Sequence, residues 1–353
     1  MSINTNDVIF LIGAGCSYDA GIPTATKMID DIEIKLLNDR DEWKVHRDLY
    51  FYIKSAILYS EGIFGKFNIL FSIEKFVNVL TELRKKEKNV VYPFIANWNN
   101  RLIDLAGQNF DNIEALKKLI TKQLINWVKK DDYRQSEYYK CFYEFQKELE
   151  HPLRIFSLNY DLCFESNKPQ DTTDLLELGF DNNNVWNSAR FEEEHPDVNA
   201  AIYLYKLHGS ITWKRDRDHG NILKLSAHPE EEPDLIFGTD AKLQSIDPYL
   251  FYVYEFRKYS LQSKVILVIG YSFSDHYINN LIKQSLQHDS NRILICVDMK
   301  DGDSVRNDIV RALELTDASQ IVVYSKSARE FLEENLNAEE ISRHIRKTEE
   351  EVF

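Results

Sequence analysis

The sequence has few cysteines, and none of them is spaced to hold a metal. Its four cysteines include no Cys-x-x-Cys pair, and its nine histidines include no His-x-x-x-His pair. Structural zinc sites draw on such pairs, so we expect no structural metal. Scattered thiols without a pairing pattern are typical of reduced cysteines in a cytoplasmic protein.

Long apolar runs and an excess of positive charge are also missing. No apolar run approaches the ~20 residues that cross a bilayer, and the apolar segment Val8–Ile12 is too short for a signal peptide. We therefore expect no membrane partner. Lys and Arg total 43 against 57 Asp and Glu, a net charge of −14. Such a chain is a poor ligand for nucleic acid phosphates, so no direct nucleic acid contact is expected.

The opening stretch carries the first positive signal. Val8–Ile12 is an apolar, β-branched run typical of a strand buried on both faces. Gly13 and Gly15 then allow a tight turn, and a helix is predicted to begin near Ser17. Free N–H groups at a helix start would suit a phosphate or pyrophosphate. Two glycines alone fit equally well a turn that needs glycine only for steric reasons.

The longer string Gly-Ala-Gly-x-Ser-x-x-x-Gly-Ile-Pro resembles the opening motif of the sirtuin family. It is most similar to the bacterial sirtuin-like proteins that act in antiviral defence. Ala20 stands where sirtuins usually have serine, and Thr24-Ala25-Thr26 lacks the Phe-Arg of protein deacylases. The resemblance implies that the opening segment binds NAD through Gly13, Ala14, Gly15, Ser17, Ile22, Pro23 and Thr24.

A second motif follows the predicted strand Arg154–Leu158. Asn159 and Asp161 come directly after it, at the edge where open α/β sheets bind ligands. An Asn/Asp turn or a helix cap would explain the same residues. Sirtuins have an Asn-x-Asp at this place in the chain. The resemblance implies that Asn159 is catalytic, beside the nicotinamide ribose, and that Asp161 holds the nicotinamide amide.

A third motif is the histidine that ends the predicted strand Ile202–Leu207. A lone histidine after a strand is more often structural than catalytic, but His208 is followed by Gly209 at the ligand edge of the same sheet. Sirtuins carry their catalytic histidine in a Leu-His-Gly at this place, so the resemblance implies that His208 is catalytic. Ser210 and Trp213 match the bacterial defence group.

The last motifs follow the predicted strands Val265–Ile269 and Ile293–Val297. The resemblance implies that Gly270, Tyr271 and Ser272 lie against the cofactor phosphates and the adenosine ribose. Asp275 is predicted to cap a helix. Asp298 is either a ribose ligand or a solvated turn residue.

One segment bears on the choice between water and a peptide as the second substrate. Residues 233–239 resemble the strand that lines the acyl-lysine channel of sirtuins, although Thr239 stands where an acidic residue is usual. The zinc module that deacylases carry cannot be built here. Both departures argue against protein deacylation.

These motifs predict an α/β fold, a Rossmann-like, doubly wound, mostly parallel sheet of about six strands with a large helical insertion. Residues 1–26 and 151–330 form the predicted NAD-binding domain, 27–150 the helical insertion and 331–353 a charged C-terminal helix. Within the insertion, residues 73–83 and 113–127 show apolar stripes at helical spacing.

The resemblance implies an NAD⁺ hydrolase that releases ADP-ribose and nicotinamide and acts in anti-phage defence by depleting NAD. The alternatives are an NAD-dependent protein deacylase and a non-catalytic NAD or ADP-ribose sensor. Because unregulated hydrolysis would kill the host, we expect a gated protein, controlled by assembly into a homo-oligomer, by a hexameric HerA-type ATPase or by a phage-protein trigger. Tyrosines near residues 50, 59 and 138 are candidate interface residues.

Overall fold

The computed structural model describes residues 3–38, 42–65, 71–85, 99–169, 176–192, 198–216, 220–225, 235 and 247–346. The chain divides into two compact units. One unit, here the sheet unit, comprises Met1–Ile22 and Val128–Phe353. The other, here the helical unit, comprises Pro23–Trp127.

The sheet unit is built on seven strands that pair only in parallel. A separate antiparallel pair consists of β5 and β6. The strand bounds are β1 Val8–Ile12, β2 Leu153–Ser157, β3 Leu176–Glu177, β4 Ile202–Lys206, β5 Trp213–Arg215, β6 Ile222–Lys224, β7 Val265–Ile269, β8 Ile293–Asp298 and β9 Ile321–Ser325. The order in the large sheet is β3-β4-β2-β1-β7-β8-β9.

Helices cover this sheet because its central strands are apolar on both faces. All five residues of each of β1, β2, β4 and β7 are buried. Phe10 of β1 makes edge contacts with the rings of Phe142 and Phe145, and Phe156 of β2 contacts Phe256. Parallel strands need such covering on both faces. The predicted fold class is confirmed.

The α-helices, in chain order, are α1 Ala25–Leu37, α2 Arg47–Ile63, α3 Ile73–Arg84, α4 Asn100–Ala106, α5 Asp111–Val128, α6 Lys140–Leu149, α7 Cys163–Ser166, α8 Tyr249–Gln262, α9 His276–His288, α10 Gly302–Ala312, α11 Ala328–Glu334 and α12 Ala338–Ser342. Short 3₁₀ segments lie at Ala14–Ala20, Glu42–His46, Gln108–Phe110, Arg134–Tyr139 and Ser188–Phe191. Among the described residues, no helix is long and apolar enough to cross a membrane.

The helical unit follows its apolar stripes. Ser72 is the N-cap residue of helix α3, and its hydroxyl accepts from the N–H of Lys75. The helix buries Ile73, Phe76, Val77 and Leu80. Helix α5 buries Ile113, Leu116, Ile120 and Leu124. Both predicted helices are confirmed, because their spacing puts these side chains on one face.

The strand count, the insertion boundary and the C-terminal helix differ from prediction. The seventh strand, β3, has two residues within a polar stretch, too short for an alternation signal. The sheet unit resumes at Val128, because Phe142 and Phe145 of α6 pack on Phe10. The predicted boundary at 150 is therefore wrong.

The tail is not one helix. It forms α11 and α12, and Asn337 caps the second through its side chain, which accepts from the N–H of Glu340. Its apolar face is present as predicted, since Leu332, Leu336, Ile341 and Ile345 are buried.

The predicted interface tyrosines differ from one another. Tyr50, Tyr138 and Tyr139 are buried within their own units, so they cannot form a surface for a partner. Tyr59 is 72% exposed.

Candidate functional site

The predicted site residues follow neighbouring strands at one edge of the sheet. The loops after β4, β2, β1 and β7 leave from adjacent carboxyl ends. From β1 the chain passes to β2 on one side, whereas β7 continues to β8 on the other. The gap between β1 and β7 is therefore a topological switch point, where open α/β sheets bind ligands.

Glycines let the loops after β1 and β7 touch backbone to backbone. The Gly13 N–H donates to Ile269 O at 3.0 Å, and the Gly15 N–H donates to Gly270 O at 2.8 Å. A Cβ on Gly15 would lie 2.8 Å from the Cα of Gly270. Gly270 has a φ of 64°, which L side chains rarely adopt. The close approach of the two loops therefore requires glycine at these positions.

The segment after Gly13 differs from the predicted α-helix start. It is a 3₁₀ helix, Ala14–Ala20, and the N–H of Cys16 donates to Gly13 O at 2.9 Å. The N–H groups of Gly13, Gly15 and Cys16 are thus all used within the protein. A pyrophosphate bound by this turn would have to compete with these carbonyls.

Ser17 is the centre of a buried group that we call the Ser17 network: Ser17, Tyr139, Asn159 and Asp161. The Ser17 hydroxyl donates to Asp161 Oδ2 at 2.7 Å and accepts from Asn159 Nδ2 at 3.1 Å. The Tyr139 hydroxyl lies 2.7 Å from Ser17 Oγ and, since the serine proton goes to Asp161, it is the donor there. Ser17 is fully buried. It holds the network together through these three hydrogen bonds, and its contact with a cofactor phosphate stays a prediction.

Asn159 and Asp161 are oriented by this network. Asn159 gives its second amide hydrogen to Gly13 O at 3.0 Å. Both of its N–H bonds are used, so Oδ1 is the part of the amide suited to accept from a water or a ribose hydroxyl. Asp161 Oδ1 accepts from the N–H of Cys163 at 3.0 Å. The structure thus joins the motifs after β1 and β2.

His208 lies after β4, next to Gly209, which has a φ of 85°. Its side chain is 2% exposed, and its Nε2 lies 3.6 Å from Asp275 Oδ2. The Tyr160 ring is 5.9 Å away, centre to centre. The contact with Asp275 links the loops after β4 and β7, which the sequence did not pair.

The other predicted residues are less closely joined. Ser272 is exposed and its hydroxyl donates to Ser274 Oγ at 3.0 Å. Asp298 is half-buried and accepts from the N–H of Lys300 at 2.9 Å, as a local turn residue does. Ile22 is buried in the sheet unit, and its N–H donates to Ser17 O at 3.3 Å.

Pro23 and Thr24 belong to the helical unit. There Thr24 is the N-cap residue of α1, without a side-chain capping bond.

Two residues of the site were missed from sequence. Tyr139 lies in the predicted insertion, and nothing in its sequence context pairs it with Ser17. Lys206 ends β4 and is 1% exposed; its ammonium donates to Glu165 Oε1 at 2.9 Å and to Ser210 Oγ at 3.3 Å. The sequence signal that could have found Lys206 is a lysine at the end of an apolar strand, because a charge buried there needs polar partners.

The thiols beside the network are held neutral. Burial raises the pKa of Cys16 to about 12, and nearby Asp161 adds to this, against a lowering by the Tyr139 hydrogen bond. Burial, with the charge of Asp161, also raises the pKa of Cys163. Neutral buried thiols are poor nucleophiles. Among the described residues there is no group of three His, Cys, Asp or Glu side chains that could hold a metal ion.

Comparisons with known proteins find one family model and several solved structures. A family model described as a SIR2-like domain matches residues 153–317. A mutant Sir2 homologue in complex with 2'-O-acetyl ADP-ribose is similar at 13% identity, covering 96% of this chain and 94% of that one, with a TM-score of 0.47. A Sir2 homologue in complex with NAD is similar at 12% identity, covering 96% of this chain and 90% of that one, with a TM-score of 0.47. No curated protein matches.

The matched segment runs from β2 to beyond α10. It includes Asn159, Asp161, His208 and Asp275, whereas Ser17 and Tyr139 of the Ser17 network lie outside it. Residues 153–317 of this chain are therefore similar to the SIR2-like domain that this family model describes.

Proposed function

We propose that the chain is an NAD⁺ hydrolase that releases nicotinamide and ADP-ribose. The observation that carries the proposal is the Ser17 network, because it orients an amide oxygen and a carboxylate at the switch point of the sheet. The SIR2-like match over residues 153–317 supports NAD as the substrate.

The reaction breaks the bond between C1′ of the ribose and the nicotinamide nitrogen. The bonding electron pair leaves with nicotinamide, and a water oxygen attaches to C1′ through an oxocarbenium-like transition state. Nicotinamide already carries a positive charge in NAD⁺, so it leaves without protonation. The protein has to hold the ribose, orient the water and accept a proton.

In this proposal the buried side chains have separate tasks. Asn159 Oδ1 accepts a hydrogen bond from the water or a ribose hydroxyl. Asp161 accepts from the carboxamide of nicotinamide, in competition with the Ser17 hydroxyl. His208 accepts the proton of the attacking water. Ser272, with its exposed hydroxyl, serves the phosphates or the adenosine ribose, as does the backbone around Gly13 and Gly270.

One observation favours protein deacylation as the alternative. Leu235 forms an isolated antiparallel bridge with Gly209, the residue after His208. That pairing sets part of the 233–239 segment, the candidate acyl-lysine strand, next to the site. The rest of that segment lies outside the described residues.

The role in anti-phage defence rests on the resemblance of the motifs. The proposed homo-oligomer, and the proposed control by a HerA-type ATPase or a phage-protein trigger, rest on the same resemblance. An effector that depletes NAD needs such control.

The test measures nicotinamide release from NAD⁺ by the purified full-length chain, alone, with acetyl-lysine peptides, and with lysate of phage-infected cells. We expect release to fall at least about 100-fold in Asn159→Ala and His208→Ala, as loss of a positioned base or orienting group does. Asn280→Ala and His288→Ala, exposed on α9, are the matched controls and should release nicotinamide at the parental rate.

The alternatives give different results. Release only in the presence of acetylated peptide would indicate the deacylase. NAD⁺ binding without release under any of these conditions would indicate the sensor.

A further inference from the structure

Residues 270–279 form a turn whose side chains hydrogen-bond to other residues of the same segment, and we call it the Asp275 turn. The Tyr271 hydroxyl accepts from the N–H of Asp275 at 3.1 Å and donates to Asn279 Oδ1 at 2.9 Å. Asn279 Nδ2 donates to Phe273 O at 2.7 Å. Phe273 has a φ of 54°, a strained value for a large side chain. A strained turn tied this closely fixes the direction of the side chains it carries.

The two carboxylate oxygens of Asp275 have different surroundings. Oδ1 caps α9 by accepting from the N–H groups of Tyr277 at 3.0 Å and Ile278 at 3.3 Å. Oδ2 lies 3.6 Å from His208 Nε2, and the two side chains are 6% and 2% exposed. The predicted helix cap is therefore confirmed for Oδ1. The prediction did not include the second oxygen, Oδ2, which faces His208.

We propose that Asp275 is the positioning residue of His208. A carboxylate only accepts hydrogen bonds, so the imidazole nitrogen that faces it carries hydrogen. Asp275 thus holds His208 with its hydrogen on Nε2, which leaves Nδ1 as the nitrogen that takes up a proton. The 3.6 Å separation is longer than a hydrogen bond. In this proposal it shortens to hydrogen-bond distance when substrate binds.

This inference rests on the proposed function and adds a step to it. When the water oxygen bonds to C1′, its proton moves to His208 Nδ1. The resulting imidazolium lies beside the Asp275 carboxylate, which stabilises its charge because both side chains are buried. The proton then passes to solvent, and the neutral histidine is restored.

A cap alone would not require an acid at this position. Asparagine and serine cap helices about as well as aspartate. Asp301 offers a matched control, because it caps α10 through Oδ2, which accepts from the N–H of Ser304 at 3.0 Å. The caps differ in that Asp275 is buried against His208.

The experiment compares Asp275→Asn and Asp275→Ser with Asp301→Asn in the full-length chain. We expect both Asp275 variants to keep the parental melting temperature to the same degree as Asp301→Asn, because each keeps a cap. Their kcat for nicotinamide release should fall at least about tenfold, as happens when a catalytic histidine loses its orienting carboxylate. KM for NAD⁺ should change less than about twofold, since Asp275 is assigned no contact with the substrate.

A second measurement does not depend on turnover. In ¹⁵N-histidine-labelled protein, long-range ¹H–¹⁵N spectra report which ring nitrogen carries hydrogen, and His208→Gln identifies the His208 signals among the nine histidines. We expect hydrogen on Nε2 in the parent and in Asp301→Asn. In Asp275→Asn the amide can donate to Nε2, so the hydrogen should move to Nδ1.

The two proposals can fail separately. Parental kcat in Asp275→Asn, or an unchanged tautomer in that variant, would overturn the role of Asp275 and leave NAD⁺ hydrolysis standing. A parent that releases no nicotinamide under any condition would overturn the hydrolase, and the tautomer would still decide whether Asp275 holds His208.

Discussion

Both edges of the sheet bury charged side chains, and the two edges differ in the groups that these side chains contact. At the amino edge, Arg292 precedes β8 and donates to the carbonyls of Ser263 and Leu261, each at 2.6 Å, and to that of Ser285. Arg154, near the start of β2, lies over the ring of Tyr259 at 3.8 Å. Arg154 also donates to Asn6 Oδ1 at 2.9 Å and to the Tyr205 hydroxyl at 2.7 Å. The partners of these cations are thus mostly backbone carbonyls and aromatic residues.

At the carboxyl edge the buried groups bind one another. Asp161, Asn159 and Ser17 share hydrogen bonds, and Asp275 faces His208. Each of these groups has at least one partner that is another polar side chain of the same edge, and a ligand can replace such a partner. Parallel sheets place ligand sites at this edge. The comparison teaches that burial of charge alone does not mark function; the kind of partner does.

The largest expected effect tests the backbone contact on which the carboxyl edge depends. Gly270→Ala would set a Cβ against the nitrogen of Cys16, with no flexible side chain to give way. We expect a loss of more than about 4 kcal/mol in the free energy of unfolding and little folded protein. The measurement is the yield of soluble protein and its thermal melt.

Gly220→Ala is the control. Gly220 also has a positive φ of 74°, but no atom of the described residues lies within 4 Å of its added Cβ. A cost of about 1 to 2 kcal/mol is expected. Equal losses at Gly220 and Gly270 would show that conformational strain, and not the contact between the two loops, requires glycine there.

A smaller loss of stability, without a loss of activity, is expected for a substitution at the amino edge. Arg292→Met removes three hydrogen bonds from a charged donor, so we expect the free energy of unfolding to fall by about 3 kcal/mol. Nicotinamide release per folded molecule should stay at the parental level. Chemical denaturation and the release assay measure the two quantities.

Ser17→Ala is the counterpart at the carboxyl edge. It removes the group that bonds to Tyr139, Asn159 and Asp161, so unfolding should become easier by about 1 to 3 kcal/mol. Release should fall at least about tenfold because Asn159 and Asp161 lose their orientation. Parental activity in Ser17→Ala, or lost activity in folded Arg292→Met, would break the comparison.

The last effect concerns alkaline pH and is small for a change of any one pH unit. The pKa of Cys16 is raised from 9.0 to about 12 in the folded protein. Between these values the folded state binds the proton and the unfolded state has lost it, so stability falls as pH rises from about 9 to 12. Removing the thiol should flatten this fall by at most about 1.4 kcal/mol per pH unit.

The measurement is the free energy of unfolding of Cys16→Ala and the parent at several pH values. Tyrosines distant from Cys16 titrate alike in both proteins and cancel in the difference, whereas the pKa values of Tyr138 and Tyr139 are themselves raised by Cys16. The half-buried Cys141, whose pKa is raised to about 11, serves as a control, and Cys141→Ala should flatten the fall less. Equal slopes in parent and Cys16→Ala would contradict a proton-bound Cys16.

The sequence by itself determined the sheet and most of the strands. Buried parallel strands are continuous apolar runs, and five of the seven, β1, β2, β4, β7 and β8, have nearly all residues buried, so local composition is enough to find them. The strand ends then placed Asn159, His208 and Gly270 at one edge. The two-residue β3 was not predicted, since two residues are too few to show the apolar pattern of a strand.

Only the tertiary structure decided how those residues meet. Ser17 and Tyr139 are 122 positions apart, and Asp161 is 144 positions from Ser17, yet one hydroxyl joins them. Asp275 reads as a helix cap in sequence because one oxygen is a cap; the other reaches His208 through folding alone. Local residues fix which strands form and which side chains come directly after each strand. Contacts between distant loops depend on packing, which no short stretch of sequence contains.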